Sequence, residues 1–242
     1  GYRAIGEVPG AVVLLEKGEG IDRWKASLEG LSAEPRRQGG AIAALVMNCN
    51  PITLGHLHLI RTAAEASAHV FLFVVAEDAS VFPVGVRLRL VQEATASLPN
   101  VTVVPGTAYF VSRATFPSYF LKECPCRVAE VHARLDVDLF VRHVAPSIGA
   151  TRRFIGEEPY CPVTALYNRV MREVLPGHGV EVVEIPRLQQ EGEAISASSV
   201  RRLLGQGHLE AALRLVPDAT ARFLATPDGR AVIERITGHE RH

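Results

Sequence analysis

The sequence predicts an α/β protein built on a doubly wound parallel sheet, with a helical tail at its C-terminal end. From residue 41 onward, apolar segments of strand length alternate with segments of helical periodicity, which is typical of parallel strands joined by helical crossovers. Most of the apolar segments lack period-two alternation, as expected for strands covered on both faces. Two polar helix starts follow such segments, and ligands of these sheets bind at the carboxyl ends of the strands.

The elements follow in chain order from these segments. Five strands are predicted at residues 41–47, 70–76, 101–104, 152–155 and 180–185. Helices are predicted at residues 55–68, 84–97 and 163–174, together with a longer, mainly helical insert at 115–148. The tail from Ser196 to Ile236 predicts three or four short helices, because Pro217 and Pro227 suit helix starts.

The first 40 residues differ from the rest of the chain. Residues 11–15 predict a short strand, and residues 21–31 predict a short amphipathic helix. Residues 34–40 contain a proline and two consecutive glycines and predict a linker. We therefore divide the chain into an N-terminal segment with its linker, residues 1–40, and a catalytic domain that carries the C-terminal helices, residues 41–242.

Composition argues against several classes of function. The 242 residues carry no net charge at pH 7, so we expect no nucleic-acid partner. The apolar runs, such as residues 70–76, are far shorter than the roughly 20 residues that span a bilayer, so we expect no membrane association. The four cysteines lack zinc-site spacing and residues 1–30 lack a secretion signal. We therefore expect reduced thiols, no protein-built metal centre and a cytoplasmic location.

The first motif, Asn48-Cys49-Asn50-Pro51-Ile52-Thr53-Leu54-Gly55-His56, directly follows the first predicted strand. A helix that begins here leaves N–H groups unpaired, and such a helix start favours an anion. His56 can donate to a phosphate oxygen, Thr53 offers a hydroxyl, and Gly55 lets a nucleotide approach the backbone closely. The alternative interpretation is an N-capping threonine followed by an incidental histidine.

The second motif, Ile195-Ser196-Ala197-Ser198-Ser199-Val200-Arg201, begins another helix about 140 residues later. Ser196 is a good N-cap, and the serine hydroxyls with the free N–H groups form a nest for phosphate. Arg201 adds a planar cation one turn further on. A capped surface helix with a solvated arginine pair is the alternative. Together the motifs predict ATP cleavage, with the histidine at the α-phosphate and the second helix start at the departing phosphates.

The loop Gly156-Glu157-Glu158-Pro159 follows the fourth predicted strand. Its backbone groups are candidates for binding adenine or ribose, and Glu157 is a candidate for helping to hold Mg²⁺. An ordinary turn is the alternative interpretation.

Two further loops at strand ends are candidates for the second substrate. Residues 77–83 supply Ser80, and Arg87 follows in the next helix. Residues 112–120 supply Arg113 and Tyr119, which suit a carboxylate or a phosphate. For the aromatic side chains, plain core packing is an equally open interpretation.

Other reactive or charged side chains are interpreted as having no catalytic part. Asp136, Asp138, Arg142 and His143 predict a solvated helix face. Cys49 lies beside the first motif, but nothing nearby in the sequence would lower its pKa. We therefore interpret Cys49 as a small buried residue and not as a nucleophile.

The stretch from residue 41 to about residue 204 resembles the citrate lyase ligase family. The first and last of the matching motifs mark the broad nucleotidyltransferase superfamily and imply its Rossmann-like fold, whereas the middle ones are more specific. Family members often carry an acetyltransferase-like domain ahead of this one, and residues 1–40 are too short for it, so they resemble a remnant or linker. The motifs are MNCNPITLGH (47–56), EDASVFP (77–83), SRATFPSYF (112–120), GEEPYC (156–161), and EIPR (184–187) running into ISASSVR (195–201).

The resemblance implies an AMP-forming acid–thiol ligase that uses ATP and Mg²⁺. Its partners are acetate and the acyl carrier subunit of citrate lyase. The ligase acetylates the thiol of the phosphoribosyl-dephospho-coenzyme A group on that subunit, releases AMP and pyrophosphate, and thereby activates the lyase. An acetyl-adenylate intermediate fits this reaction.

The resemblance also implies a role for each candidate residue. His56 stabilises charge on the α-phosphate, and Thr53 assists it. Arg113 binds acetate or a phosphate, and Arg87 binds the prosthetic arm of the carrier. The catalytic residues are His56, Thr53 and Arg201; those that bind ATP are Asn48, Asn50, Gly55, Gly156, Glu157, Ser196, Ser198 and Ser199; those that bind substrate are Arg113, Arg87, Tyr119 and Ser80.

Two other functions stay open at this point. An adenylyltransferase that acts on a phosphopantetheine-like or mononucleotide acceptor would use the same fold and both motifs. A nucleotide-binding module without turnover is the third interpretation, against which the presence of both His56 and Arg201 argues.

Overall fold

The structure is a computed structural model, and it describes residues 1–77, 80–121 and 126–239. In chain order its strands are β1 (Tyr2–Val8), β2 (Val12–Lys17), β3 (Ile42–Met47), β4 (His69–Val74), β5 (Val101–Pro105), β6 (Arg152–Gly156), β7 (Glu181–Ile185), β8 (Gln189–Gln190) and β9 (Glu193–Ala194). Its α-helices are α1 (Gly20–Gln38), α2 (Leu54–Glu65), α3 (Val84–Thr95), α4 (Pro117–Leu121), α5 (Cys126–Leu139), α6 (Ala145–Ile148), α7 (Pro162–Val174), α8 (Ala197–Gly205), α9 (Leu209–Leu213), α10 (Asp218–Leu224) and α11 (Pro227–His239).

The centre of the fold is a parallel sheet with the strand order β5-β4-β3-β6-β7. The direction of winding reverses between β3 and β6, which makes that pair the switch point where α/β sheets open a crevice at their carboxyl ends. All five strands lie within two residues of the predicted segments. The predicted doubly wound α/β fold is therefore confirmed.

The two faces of this sheet support two separate apolar cores. In β4, Phe71 and Phe73 point to the side of α5, α6 and α7, whereas Leu72 and Val74 point to the side of α2 and α3. Because both faces are covered, the strand is apolar at every position from Val70 onward, which explains the missing alternation. None of the helices in the described ranges combines the length and the apolar character that crossing a bilayer requires.

The helical tail closes the second core. The helices α8 to α11 follow one another with short connections, as the predicted three or four short helices require. Val200, Phe223 and Val232 are buried against this face of the sheet, and the Phe223 ring lies 6.0 Å from that of Phe82. The tail thus contributes side chains to the second core.

The N-terminal segment is more ordered than its composition predicts. The strand predicted at residues 11–15 is β2, but it pairs with β1, which the sequence analysis missed. The helix α1 continues through Pro35 to Gln38, so the prediction of a linker at residues 34–40 is wrong for most of those residues. Contacts with the main domain extend this helix, because Ser32 Oγ donates to the carbonyl of Ser147 at 2.8 Å.

The solvated face predicted on the insert is wrong for Asp136. This carboxylate is buried and accepts hydrogen bonds from Val111 N, Thr115 Oγ1 and Tyr167 Oη at 2.7, 2.7 and 2.6 Å. It therefore fixes the loop that follows β5 against α7. Asp138 lies two residues further along the same helix, and its side chain points the opposite way from that of Asp136. It pairs at the surface with Arg142, at a distance of 2.7 Å. His143, expected on the same solvated face, is half-buried and bonds through Nε2 to the carbonyl of Ile5 at 2.6 Å.

Removing the Leu28 side chain tests whether α1 belongs to the core. Leu28 is completely buried, so Leu28→Ala should lower the free energy of unfolding by about 2 to 5 kcal/mol through lost burial and the cavity left behind. Leu31 on the same helix is 48% exposed, and Leu31→Ala should change it by less than about 0.5 kcal/mol. Urea denaturation measures both. Equal, small losses for the two variants would contradict the packing of α1 described here.

Candidate active site

The start of α2 has a reciprocal cap. Thr53 is the N-cap, and its Oγ1 accepts from the backbone N–H of His56 at 3.3 Å. In return, the backbone N–H of Thr53 donates to Nδ1 of His56 at 3.1 Å. The histidine is therefore not an incidental residue of the first turn, because its ring is held by the helix start itself.

These contacts settle which nitrogen of His56 carries the proton. A backbone N–H can only donate, so Nδ1 must act as the acceptor and the neutral ring carries its proton on Nε2. Burial, and then the positive charges of Arg187 and Arg201, lower the pKa of His56 to about 4. Nε2 has no protein partner among the described residues, and the residue as a whole is partly buried. At neutral pH the ring thus offers one fixed, uncharged N–H donor.

The start of α8 is capped in a similar way. Ser196 is the N-cap, and its Oγ accepts from the N–H of Ser199 at 3.0 Å and lies 2.8 Å from the Ser199 hydroxyl. Arg201 donates to Ser198 Oγ at 3.2 Å and to the carbonyl of Asn50 at 2.5 Å. The second contact ties the second motif directly to the first.

The two helix starts meet at Gly55. A Cβ on this residue would lie 2.6 Å from the carbonyl oxygen of Ile195, the residue just before the α8 cap. We expected the missing side chain to make room for a nucleotide, but the backbone of the second motif occupies that room. Both motifs lie at the carboxyl edge of the sheet near its switch point, where sheets of this kind form a crevice.

Residues of the C-terminal tail form hydrogen bonds with the backbone of the first motif. The backbone N–H of Leu54 donates to the carbonyl of Leu215 at 2.9 Å. Thr220 Oγ1 donates to the carbonyl of Ile52 at 3.2 Å in a buried setting. The loop between β3 and α2 is therefore held by the sheet on one side and by the tail on the other.

The two asparagines of the first motif are used largely within the protein. Asn50 Oδ1 accepts from the backbone N–H of Phe82 at 3.0 Å. Asn48 Oδ1 accepts from Arg87 at 2.9 Å and from Ser80 Oγ at 3.3 Å. Both side chains, with Ser80, thus fix the loop after β4 to the loop after β3, whereas we expected them to bind ATP or substrate.

Arg87 lies beneath the site and not in it. The residue is completely buried, and its guanidinium donates to the carbonyls of Asn48, Val75, Glu77 and Phe82 at 2.7 to 3.0 Å. A side chain in this position cannot reach the prosthetic arm of a carrier protein, so that expectation is corrected. Its buried cation instead joins the end of β4 to the end of β3.

The loop after β5 brings Arg113 to the rim of the crevice. Its backbone N–H donates to Glu77 Oε1 at 2.8 Å, and its guanidinium, 66% exposed, lies 3.6 Å from Glu77 Oε2. Tyr119 is partly buried, and burial followed by nearby negative groups raises its pKa to about 12. Of the motifs that carry these residues, Asp78 and Ala79 lie outside the described ranges.

The loop after β6 contacts Arg187, which the sequence analysis did not assign to the site. Arg187 donates to the carbonyl of Glu157 at 2.8 Å and pairs with Glu158 Oε2 at 2.5 Å. The carbonyl of Gly156 accepts from Asn168 at 2.9 Å. The position of Arg187 just after β7, the last strand of the parallel sheet, could have indicated its place near the site, because ligands of such sheets bind at that end.

Cys49 takes no part as a nucleophile. It is buried, and burial raises the pKa of its thiol to about 12 despite the opposing effect of Arg87. A thiol that stays protonated at neutral pH is a poor nucleophile. The interpretation of Cys49 as a small buried residue is confirmed.

Comparison with known proteins relates this site to one group of enzymes. Residues 42–224 match the family described as the citrate lyase ligase C-terminal domain. The citrate (pro-3S)-lyase ligase of Klebsiella pneumoniae is 41% identical over 93% of this chain and 66% of its own length. The corresponding ligase of Escherichia coli (strain K12) is 42% identical over 93% of this chain and 64% of its own length.

Two further proteins are similar to this chain at lower identity. A phosphopantetheine adenylyltransferase of Streptococcus equi subsp. equi is 27% identical over 45% of this chain and 68% of its own length. The crystal structure of pantothenate synthetase from Thermus thermophilus matches 84% of this chain and 81% of its own, with 21% identity and a TM-score of 0.42, too low to compare sites.

The matches cover most of this chain but only part of each ligase. The chain spans slightly less than two thirds of the length of the Klebsiella and Escherichia ligases, whereas the family match covers most of the chain itself. The chain therefore belongs to the family of the citrate lyase ligase C-terminal domain.

Proposed function

We propose that this chain is an ATP-dependent, AMP-forming ligase that activates acetate and transfers the acetyl group to a thiol. The observation that carries the proposal is the shared crevice, in which a neutral imidazole from one helix start stands near a guanidinium from another. Arg201 is close enough to lower the pKa of His56, and it bonds to the loop that leads to His56. We place one nucleoside triphosphate between these two groups, with its α-phosphate at the imidazole and its outer phosphates at the guanidinium.

The first step makes acetyl-adenylate. A carboxylate oxygen of acetate attacks the α-phosphorus, the bond to the bridging oxygen breaks, and pyrophosphate leaves with the electron pair. Nε2–H of His56 donates to the α-phosphate oxygen on which negative charge accumulates. Because the Thr53 backbone N–H holds Nδ1, the donor is already oriented before the substrate binds.

The second helix start stabilises the leaving group. The hydroxyls of the serines at 196, 198 and 199 and the free N–H groups at the start of α8 donate to oxygens of the β- and γ-phosphates. Arg201 adds a charge-assisted contact as pyrophosphate separates. Its second hydrogen bond, to the carbonyl of Asn50, keeps that cation in place.

Mg²⁺ fits this site as the companion of the triphosphate. The described residues contain no group of three or more His, Cys, Asp or Glu side chains placed to hold a metal ion. Mg²⁺ commonly takes one or two carboxylates together with substrate phosphates, and Glu157, exposed at the end of β6, is the carboxylate that we propose. When bound, the ion screens the charge of the triphosphate.

The second step transfers the acetyl group. A thiolate attacks the acyl carbon of acetyl-adenylate, and AMP leaves with the electron pair. The acceptor that we propose, from the family resemblance, is the thiol of the phosphoribosyl-dephospho-coenzyme A group on the acyl carrier subunit of citrate lyase. The names of the ligase relatives refer to citrate lyase itself. Arg113 at the rim and Tyr119 behind it are the residues that we propose for acetate or for an acceptor phosphate. A free thiol substrate favours the cytoplasm.

An adenylyltransferase is the second candidate function. The similarity to a phosphopantetheine adenylyltransferase over 45% of the chain favours it. The two candidates share the ATP site and differ in the acceptor, which is a carboxylate in the ligase and a phosphomonoester in the adenylyltransferase.

The acceptor experiment decides between these candidates. The purified chain with ATP, Mg²⁺ and acetate should release pyrophosphate and yield acetyl hydroxamate when hydroxylamine is present. Phosphopantetheine in place of acetate should give no release above background. Release that requires the phosphomonoester and ignores acetate would overturn the ligase proposal.

Replacing the imidazole tests the first step. His56→Ala removes the α-phosphate donor and should lower acetate-dependent turnover by about 10²-fold or more, while ATP still binds. His58→Ala is the matched control, because that side chain lies two residues further along α2, about 200° around the helix. Pyrophosphate release measures turnover, and calorimetry measures the affinity for ATP. Equal turnover in both variants would remove His56 from the mechanism.

The lowered pKa of His56 also affects stability. Between pH 6.5 and about 4 the unfolded chain binds a proton at this residue that the folded chain excludes. The contribution of His56 is thus fully present above pH 6.5 and is lost as the pH falls toward 4. His56→Asn should make the free energy of unfolding fall less steeply over this interval. Urea titrations at pH 7, 5.5 and 4.5 measure the free energy of unfolding of the wild type and the variant. An equally steep decrease with falling pH in both proteins would contradict the prediction.

A further inference from the structure

Tyr160 is an exposed aromatic residue in the loop after β6. Its side chain is on the surface, with 70% of the residue exposed, although most large apolar side chains of this protein lie in the two cores. Its backbone is nevertheless fixed, because Glu158 Oε1 accepts from the N–H groups of Tyr160 and Cys161 at 3.0 and 3.1 Å. A large ring displayed on a restrained backbone is a ready contact surface for a ligand.

One face of this ring rests on Arg187. The Cζ atom of Arg187 lies 5.5 Å from the centre of the Tyr160 ring, a cation–π distance. The guanidinium is itself held by Glu158 Oε2 and by the carbonyl of Glu157. The ring therefore has a firm support on one face and solvent on the other.

The loop that carries the ring also starts beside α2, the helix whose first turn holds His56. β6 pairs with β3, and a Cβ on Gly156 at the end of β6 would lie 3.6 Å from Leu59 Cδ2 of α2. Arg187, which supports the ring, is also one of the charged groups that lower the pKa of His56. Only the ribose joins the base of ATP to its α-phosphate, so a base bound next to His56 must lie in this part of the crevice. Tyr160 is the exposed aromatic side chain that the loop after β6 presents there.

The backbone of the same loop offers the base few hydrogen bonds. The N–H of Glu157 donates to the carbonyl of Ile185 at 2.9 Å, and the carbonyls of Gly156 and Glu157 already accept from side chains. Stacking needs no hydrogen-bonding edge, because every nucleobase has a π-face.

We propose that the open face of Tyr160 is a stacking platform for an adenine ring. The inference rests on the proposed function and extends it, because that function assigns the phosphates but leaves the base without a partner. Adenine occurs both in ATP and in the dephospho-coenzyme A part of the proposed acceptor, so the test must separate these two sources.

Three variants and three ligands test this platform. Tyr160→Ala removes the ring, Tyr160→Phe keeps it, and Tyr2→Ala removes an aromatic residue that is equally exposed, at 71%, on the distant β1 strand. Calorimetry measures the affinity of each variant and of the wild type for ATP, dephospho-coenzyme A and inorganic tripolyphosphate. Tyr160→Ala should weaken ATP binding about tenfold, since stacking on an aromatic side chain commonly contributes that much. Tripolyphosphate should bind it as it binds the wild type.

The controls fix the interpretation. Tyr160→Phe and Tyr2→Ala should keep the wild-type affinity for ATP within about twofold. A loss for dephospho-coenzyme A but not for ATP would support the platform with the acceptor as the source of the adenine. Unchanged affinity for both adenine ligands, or an equal loss for tripolyphosphate, would overturn the proposal. A wild-type chain that binds neither adenine ligand would refute the proposed function as well, whereas wild-type affinity of Tyr160→Ala for both would refute only the platform.

Discussion

The contact between the backbone of Gly55 and the carbonyl of Ile195 is the constraint on which the site depends. It brings two helix starts, separated by about 140 residues of sequence, to within van der Waals distance at one edge of the sheet. A side chain at position 55 would push the second helix start away, because its Cβ would lie 2.6 Å from that oxygen. The hydrogen bond from Arg201 to Asn50 holds the same two segments together from the other side.

Electrostatics follows from that arrangement. Burial, and then two guanidinium groups, keep the imidazole of His56 neutral by lowering its pKa, so the crevice gains a donor without a third formal charge. A charged imidazole would bind a phosphate tightly in every state, whereas a neutral donor interacts most strongly when charge develops on the oxygen. The cationic side chains in turn are fixed by protein carbonyls and by Glu158.

The sheet and both helix starts were predictable because local patterns encode them. Ala41 to Met47 is an apolar run, and capping residues follow directly at Thr53 and, in the second motif, at Ser196. The burial of Asp136 was not predictable, because its partners Val111, Thr115 and Tyr167 lie 21 to 31 residues away along the chain. Arg87 was misassigned for the same reason: the four carbonyls that it binds come together only through the tertiary fold. Sequence patterns predict which backbone segments come together. They do not predict which side chains form hydrogen bonds within the protein where those segments meet.

The bonds from Leu54 to Leu215 and from Thr220 to Ile52 have a consequence for biosynthesis. The loop that presents the histidine is synthesised first, and two of the bonds that hold it come from residues that follow some 160 positions later. A nascent chain that has completed the sheet but not these last helices lacks a finished pocket.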